Sequence, residues 1–311
     1  MSAGLVSTAW PSIASAQVTT GRIDTGVRPT APEDPLQTWV DTYGRPTADV
    51  MVNGRGPYRF LVDTGANKTV LPMRHALDLG AEFHGNVTVH GTTGSAEFSM
   101  ARLDHLSVGS VERAKIEIAV APDHLMRRED GILGADIFAG RRLVFEIAAK
   151  VVRVQTSRAA PIYARTNLRI LNGVIPVLRG RIGRVRTQMI LDTGADQCIV
   201  NAALKAKLDK AHANLIQDKM AKLQGITGTV LSGDYLLLPD MRMGNVAVAD
   251  ASAVAVDAPV FRVWGVEDEP TIIVGSSVLS RLASFTIDYG ARQFEGRPFA
   301  LLARDEAVRQ G

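Results

Sequence analysis

The sequence lacks the features that identify several large classes of protein. It holds one cysteine, Cys198, in 311 residues, so no disulfide forms within the chain and cysteine usage does not identify a redox compartment. No apolar run approaches the roughly 18 residues that a membrane-spanning helix needs. Aromatic residues make up only 5% of the chain, and no dense run of lysine and arginine with interleaved aromatics occurs. Nucleic acid is therefore not a favoured partner.

Charge, length and hydropathy are ordinary for a globular protein. The 35 basic and 32 acidic residues leave a formal net charge of +3, and 46% of the residues are hydrophobic. A chain of 311 residues is long enough for two domains, each with its own core. The six histidines show no metal-ligand spacing. We therefore expect neither a metal nor another cofactor.

Residues 1–36 differ in composition from the rest and predict an N-terminal leader and linker. Met1 to Gln17 is apolar and uncharged, and Ala14-Ser15-Ala16 has the small-x-small form of a signal-peptidase site. The stretch has no basic start, and Pro11 interrupts its apolar part. Two interpretations stay open: the remnant of an export signal, which implies a periplasmic or exported protein, or the disordered leader of a cytoplasmic one. Residues 17–36 predict an unpacked linker, with a pro-segment over residues 17–45 as the alternative.

One short pattern occurs twice. Both copies are an apolar run that ends in Asp-Thr-Gly-Ala: Phe60-Leu61-Val62-Asp63-Thr64-Gly65-Ala66 and Met189-Ile190-Leu191-Asp192-Thr193-Gly194-Ala195. The apolar run predicts a buried strand, and the glycine gives backbone freedom where the chain turns. A single aspartate after a strand is usually only a turn-capping residue. Two in matched surroundings favour a shared function.

Further landmarks recur in the same order after each aspartate. A hairpin precedes each aspartate and a short helical segment follows it, and the later landmarks end in a strand. The first later landmark is a Gly/Thr-rich turn (Gly91-Thr92-Thr93-Gly94; Gly225-Ile226-Thr227-Gly228), and the second is a hairpin (Val108 to Val111; Met243 to Val246). The third is a four-residue segment that ends in two apolar residues and a glycine (Gly131 to Gly134; Ile272 to Gly275). A repeat this long is a duplicated domain rather than a solenoid. We predict an N-terminal lobe over 37–157 and a C-terminal lobe over 158–311.

These motifs resemble the retropepsin-like aspartic proteases over roughly residues 45 to 290. The sequence is similar to a single-chain bacterial form, because it carries two copies and each has the alanine of the retroviral form. The resemblance implies an all-β fold with short helices, in which two duplicated β-barrel lobes are related by pseudo-twofold symmetry. It also implies an aspartic endopeptidase, with a non-catalytic peptide-binding module as the alternative.

The resemblance assigns roles to the residues of the two turns. Two carboxylates about 3 Å apart cannot both ionise, so they share a proton and supply both a base and an acid. Asp63 and Asp192 would form this catalytic dyad. Thr64 and Thr193 would cross-link the turns by hydrogen bonds, with strand-end packing as the alternative. Gly65 and Gly194 would let their backbone N–H groups approach the carboxylates.

The residue after each of these glycines predicts the pH range of activity. Pepsin-like enzymes usually have Ser or Thr there, whose hydroxyl stabilises the ionised carboxylate. Ala66 and Ala195 cannot donate such a hydrogen bond, and losing a donor raises a carboxylate pKa. We therefore expect optimal activity in mildly acidic to near-neutral conditions.

The Gly/Thr-rich turns correspond by position to the flaps that fold over bound peptide in the retroviral dimer. We name Gly91-Thr92-Thr93-Gly94 the first flap tip and Gly225-Ile226-Thr227-Gly228 the second flap tip. Glycine there permits hinge motion and exposes backbone donors to a substrate strand. An ordinary hairpin turn is the alternative for each.

The resemblance also indicates partners. We expect a polypeptide substrate, such as the exposed segment of an envelope or membrane protein, and a monomeric enzyme without a transmembrane segment. Cys198 lies in an apolar run just after the second turn, which predicts a buried and unreactive thiol.

Overall fold

Strands dominate the computed structural model, which describes residues 38–41, 44–126, 129–160, 165–212 and 215–299. The predicted leader and linker, residues 1–36, lie outside the described residues. The described part holds twenty-two strands (β1–β22), four short α-helices and two 3₁₀ helices, Asp123–Leu125 and Ala135–Phe138. The helices are α1 (Met73–Asp78), α2 (Ala202–Ala211), α3 (Pro259–Val263) and α4 (Ser276–Leu279). The expected all-β class with short helices is confirmed.

The first lobe is built on an eight-stranded sheet with the order β1-β2-β3-β8-β4-β7-β6-β5. Its strands are β1 (Thr38–Val40), β2 (Pro46–Val52), β3 (Arg55–Asp63), β4 (Val70–Pro72), β5 (Glu82–Gly91), β6 (Gly94–Val108), β7 (Val111–Ala121) and β8 (Gly131–Gly134). An additional pairing of β2 with β6 folds the sheet back on itself. This closure protects strand edges that would otherwise be open.

The remaining strands form a fourteen-stranded sheet with the main order β10-β9-β21-β22-β11-β12-β13-β20-β14-β19-β16-β15, to which β17 and β18 add at β12. They are β9 (Arg141–Glu146), β10 (Val151–Thr156), β11 (Thr166–Leu171), β12 (Ile175–Ile182), β13 (Val185–Leu191), β14 (Cys198–Val200), β15 (Ile216–Gln224), β16 (Val230–Leu237), β17 (Met241–Met243), β18 (Val246–Val248), β19 (Ser252–Ala255), β20 (Thr271–Val274), β21 (Leu282–Asp288) and β22 (Gln293–Pro298).

The same strand arrangement surrounds each Asp-Thr-Gly-Ala segment. In the first lobe β3 runs parallel to β8, and Asp63 pairs with Gly134. In the second lobe β13 runs parallel to β20, and Leu191 pairs with Val274. In both lobes the strand that follows the turn, β4 or β14, pairs antiparallel with that same neighbour. The structure therefore confirms a duplicated fold with two lobes.

The two copies join through an antiparallel pairing of β9 with β21. Val144 pairs with Thr286, and the flanking partners are reciprocal, with Phe145 opposite Phe285 and Leu143 opposite Ile287. These are equivalent strands of the two copies, and their antiparallel pairing is what a twofold axis through the central pair produces. The Phe145 and Phe285 rings stack with centroids 4.4 Å apart. The last strands of the first copy therefore extend the sheet of the second. The predicted boundary between the lobes, at residues 157 and 158, stays a prediction.

A buried apolar core supports the strands that lead into the two Asp-Thr-Gly-Ala turns. Phe60, Leu61 and Val62 are all buried at the end of β3, and Met189 to Leu191 are all buried at the end of β13. Continuous burial on both faces is typical of a central strand. It explains why these segments are uninterrupted apolar runs rather than alternating ones. No helix in the described ranges is long and apolar enough to cross a membrane.

Candidate active site

Both aspartates lie where a buried strand opens into a turn at the junction of the two lobes. Asp63 is the last residue of β3, and Asp192 directly follows β13. Asp192 is only 6% exposed, whereas Asp63 is partly exposed. The pseudo-twofold arrangement of the strands brings the two turns together although 129 positions separate them.

Each carboxylate accepts two hydrogen bonds from its own turn. The N–H groups of Gly65 and Ala66 donate to Asp63 Oδ1 at 2.9 and 3.0 Å. In the second copy the N–H groups following Asp192 donate to its Oδ1 at the same two distances. The alanines therefore contribute backbone donors and no side-chain donor. This geometry orients both carboxylates in the same way relative to the twofold axis.

The glycines of the two turns allow the carboxylates to meet. The Asp63 and Asp192 carboxylates lie close enough that hydrogen bonding and charge between them shift the pKa of both groups. A Cβ atom at Gly65 would overlap the carboxylate of Asp192, and one at Gly194 would overlap the carboxylate of Asp63. Each glycine is thus required by the aspartate of the opposite lobe. Since two ionised carboxylates this close repel each other, the pair favours a state in which one proton is shared.

Thr64 and Thr193 exchange hydrogen bonds across the lobe junction. The Thr64 hydroxyl donates to the carbonyl oxygen of Leu191 at 2.8 Å and accepts from the Thr193 N–H at 3.1 Å. Reciprocally, the Thr193 hydroxyl donates to the Val62 carbonyl at 2.6 Å and accepts from the Thr64 N–H at 3.1 Å. Both threonines are almost fully buried, so these four bonds are shielded from competing water.

Burial raises the pKa of both aspartates. It is the largest cause for Asp63, whose pKa is partly lowered again by the hydrogen bond with Asp192 and by its backbone donors. For Asp192, burial is followed by the charge of Asp63, and the pKa lies well above the ordinary aspartate value. The dyad therefore titrates as a unit and retains a proton above the ordinary aspartate range.

A second layer of backbone contacts holds each turn. The Ala135 N–H donates to the Ala66 carbonyl and the Ser276 N–H to the Ala195 carbonyl, both at 2.8 Å. Gly134 and Gly275 make this possible, because a Cβ at either position would run into the backbone of the facing turn. The later glycine of each copy, which the sequence marked only as a repeated landmark, thus supports the Asp-Thr-Gly-Ala turn.

Arg45 is a site residue that the sequence did not single out. Its guanidinium donates to the Gly194 carbonyl of the opposite lobe at 3.3 Å, and it pairs with Asp41 at 2.6 Å and Glu129 at 2.8 Å. Its positive charge lowers the pKa of Asp63. No local pattern could have identified it, because its contact with the second turn depends on how the lobes dock.

The structure places both predicted flap tips at the ends of long hairpins. The first flap tip joins β5 to β6, where Gly91 pairs with Gly94 across Thr92 and Thr93. The second flap tip follows the last pair of β15 and β16, Gln224 with Val230.

The two tips contact each other. The Gly225 N–H donates to the Thr93 hydroxyl at 3.1 Å, and side chains at Gly91 or Gly94 would meet Ile226, Thr227 or Thr229. Ile226 also packs against the buried first-lobe cluster that contains Leu61 and Met126. Ala66, beside the dyad, packs on that same cluster.

Neither a reactive thiol nor a metal-binding cluster occurs in the described part of the chain. Cys198 is fully buried, and burial raises the pKa of its thiol to about 11. This agrees with the predicted buried and unreactive thiol. Among the described residues, no cluster of three or more His, Cys, Asp or Glu side chains has the geometry to hold a metal ion.

Two symmetric lobes, each presenting an aspartate from an Asp-Thr-Gly-Ala turn, define a duplicated retropepsin-like fold. A family model described as aspartyl protease matches the chain twice, at residues 48–137 and 177–278. The matches together cover more than half of the 311 residues, and each contains one of the two turns. The chain therefore belongs to the aspartyl protease family. A search of curated proteins finds no match.

Proposed function

We propose that this protein is an aspartic endopeptidase whose catalytic residues are Asp63 and Asp192. The observation that carries the proposal is the close approach of the two carboxylates, each of which lies against the glycine of the opposite turn and shifts the pKa of the other. One carboxylate thus acts as a base and the other as an acid in the same arrangement. If the two aspartates only capped their own turns, Gly65 and Gly194 would not need to leave space for the carboxylate of the opposite lobe.

In the proposed reaction the dyad activates a water molecule between the two carboxylates. The ionised carboxylate takes a proton from the water as its oxygen attacks the peptide carbonyl carbon. The protonated carboxylate gives its proton to the carbonyl oxygen, and a tetrahedral diol forms. The carboxylate that took the water proton then gives it to the peptide nitrogen, while a hydroxyl of the diol returns its proton to the other carboxylate; the carbon–nitrogen bond breaks and the shared-proton pair is restored.

Thr64, Thr193, Gly65 and Gly194 act in this proposal by positioning the carboxylates. The reciprocal threonine bonds set the spacing between the two turns, and the glycine N–H groups set the orientation of each carboxylate. Small displacements of reacting groups cost large factors in rate. These residues should therefore affect turnover more than substrate affinity.

We propose that the two flap tips cover an extended substrate in the cleft between the lobes. The tips touch through the bond from the Gly225 N–H to the Thr93 hydroxyl, so in this proposal they separate when peptide enters. Backbone groups at glycine-rich tips offer hydrogen bonds to an extended peptide, as in strand addition. Apolar side chains on the peptide would compete with Ile226 for its contacts with the first-lobe cluster.

The experiment that tests the proposal is cleavage of an unstructured protein and a peptide library across pH 3 to 8. The variants are Asp63→Asn, Asp192→Asn and, as a matched control, Asp250→Asn. Asp250 is exposed and has a left-handed backbone that asparagine readily adopts. We expect wild type and control to cleave, with an optimum in mildly acidic to near-neutral conditions, and both dyad variants to be inactive.

Other outcomes would assign a different function. Retention of full activity in either dyad variant would refute the shared-proton mechanism. An inactive wild type that binds peptide would favour the non-catalytic binding module. An optimum below about pH 3 would contradict the raised pKa of the dyad.

We also propose that the enzyme is a monomer and is exported, with a polypeptide of the cell envelope as its substrate. One chain supplies both halves of the site, so dimerisation is not needed to complete it. The motif Ala14-Ser15-Ala16 supports export, and a cytoplasmic location is the alternative. Light scattering tests the oligomeric state. Cell fractionation with N-terminal sequencing tests for cleavage after Ala16, and an uncleaved cytoplasmic protein would refute export.

A further inference from the structure

An exposed face of the second lobe carries arginines in register on three adjacent strands. Arg181 on β12 lies directly opposite Arg186 on β13 and also opposite Arg242 on β17. Arg179 lies two residues before Arg181 and therefore on the same face of the sheet. All four side chains are exposed. We name Arg179, Arg181, Arg186 and Arg242 the arginine face.

The other side of the same strands is buried. Ile182, Val185, Met241 and Met243, which alternate with the arginines, belong to the central hydrophobic core. The strands are thus anchored on one side, and the arginine side chains are confined to the other. Their backbone spacing of about 4.8 Å between strands keeps the positive charges close together.

This arrangement carries an electrostatic cost that the described chain does not offset. Like charges directly opposite each other destabilise a sheet. Within the described ranges, no member of the arginine face forms an ion pair, whereas the exposed Arg55 and Arg102 each pair with a carboxylate. The chain has 32 acidic residues, so composition does not force this clustering. An external anion would relieve the repulsion.

We propose that the arginine face docks the protein onto an anionic phospholipid surface. Guanidinium groups bind phosphate through paired hydrogen bonds, and clusters of four or more basic residues bind anionic lipid. Duplex DNA fits less well, because its major groove admits a helix or a two-stranded ribbon and this face spans three strands. The face has no aromatic side chain on which single-stranded bases could stack. This proposal is independent of the proposed catalytic function.

The experiment measures binding of the full chain to vesicles of phosphatidylcholine with and without phosphatidylglycerol. The test variant is Arg181→Gln/Arg186→Gln/Arg242→Gln. The control is Arg55→Gln/Arg102→Gln/Arg153→Gln, which removes the same number of positive charges from arginines that pair with Asp78, Glu82 and Glu146. Circular dichroism and urea unfolding verify that both variants fold.

We expect wild type and control to bind the anionic vesicles, and binding to weaken as salt rises. Removing three surface arginines should weaken it on the order of 100-fold. Absence of binding to anionic vesicles, equal binding to neutral ones, or an equal loss in the control would overturn the proposal. Tighter binding to duplex DNA or polyglutamate than to anionic vesicles, lost only in the test variant, would overturn it in favour of those partners.

Discussion

Replacing Thr64 by valine tests whether the reciprocal threonine bonds hold the two lobes together. Valine keeps the shape of threonine but replaces its hydroxyl with a methyl group. The variant loses the bond to the Leu191 carbonyl and the bond from the Thr193 N–H, at 2.8 and 3.1 Å in the native protein. Thr64 is fully buried, so water does not replace either bond.

The magnitude follows from the two groups that lose a partner. An unsatisfied buried donor or acceptor costs about 1–3 kcal/mol, so Thr64→Val should lower the free energy of unfolding by about 2–6 kcal/mol. That is a large part of the roughly 5–15 kcal/mol that keeps a domain folded. Thr64→Ser, which keeps the hydroxyl and loses one methyl group, should cost only about 1 kcal/mol.

Urea unfolding followed by circular dichroism measures both variants against wild type. The slope of free energy with urea concentration should stay unchanged, since the surface exposed on unfolding is the same. Thr193→Val should resemble Thr64→Val, because the bonds are reciprocal. The double variant should cost less than the sum of the two, since both threonines belong to one network. Equal stability of Thr64→Val and Thr64→Ser would refute the reasoning.

Three further predictions follow from the same site. The dyad retains a proton in the folded state that the unfolded chain releases, so stability should fall as pH rises from the ordinary aspartate range through the raised folded pKa, by up to about 1.4 kcal/mol per pH unit. Urea titrations at several pH values should show a smaller slope for Asp192→Asn, and an unchanged slope would contradict the shared proton. Cys198, with its thiol pKa raised to about 11 by burial, should react with a thiol reagent only after denaturation; rapid reaction of the folded protein would be inconsistent with its burial. Gly65→Ala should reduce kcat/KM by about 100-fold or more, because the added methyl group displaces the Asp192 carboxylate, and peptide hydrolysis near the wild-type rate would show that the close approach is unnecessary.

Local patterns predicted most elements around the site. Continuous apolar runs indicated the central strands, and the structure has them at β3 and β13. Glycine-rich turns between alternating segments indicated hairpins, and both flap tips lie at hairpin ends. These predictions succeeded because strand burial and turn conformation depend mainly on residues close together in the chain.

The sequence did not predict the main cause of the raised pKa values of Asp63 and Asp192. The missing hydroxyl at Ala66 and Ala195 suggested the direction, but burial is the largest cause for both aspartates. Burial depends on how completely the two lobes cover the carboxylates. The Arg45 contact with Gly194 likewise crosses between lobes, and no nearby sequence signal reports it.

Two copies of one fold, with one aspartate turn in each, are evident from the amino-acid sequence. That Gly65 faces Asp192 and Gly194 faces Asp63 became visible in the folded structure. The folded structure also shows that the flap tips touch and that arginines on three strands align. The physical reason is that periodicity and turn chemistry act over a few residues. Contacts across a pseudo-twofold axis depend instead on the docking of surfaces that lie far apart in the chain.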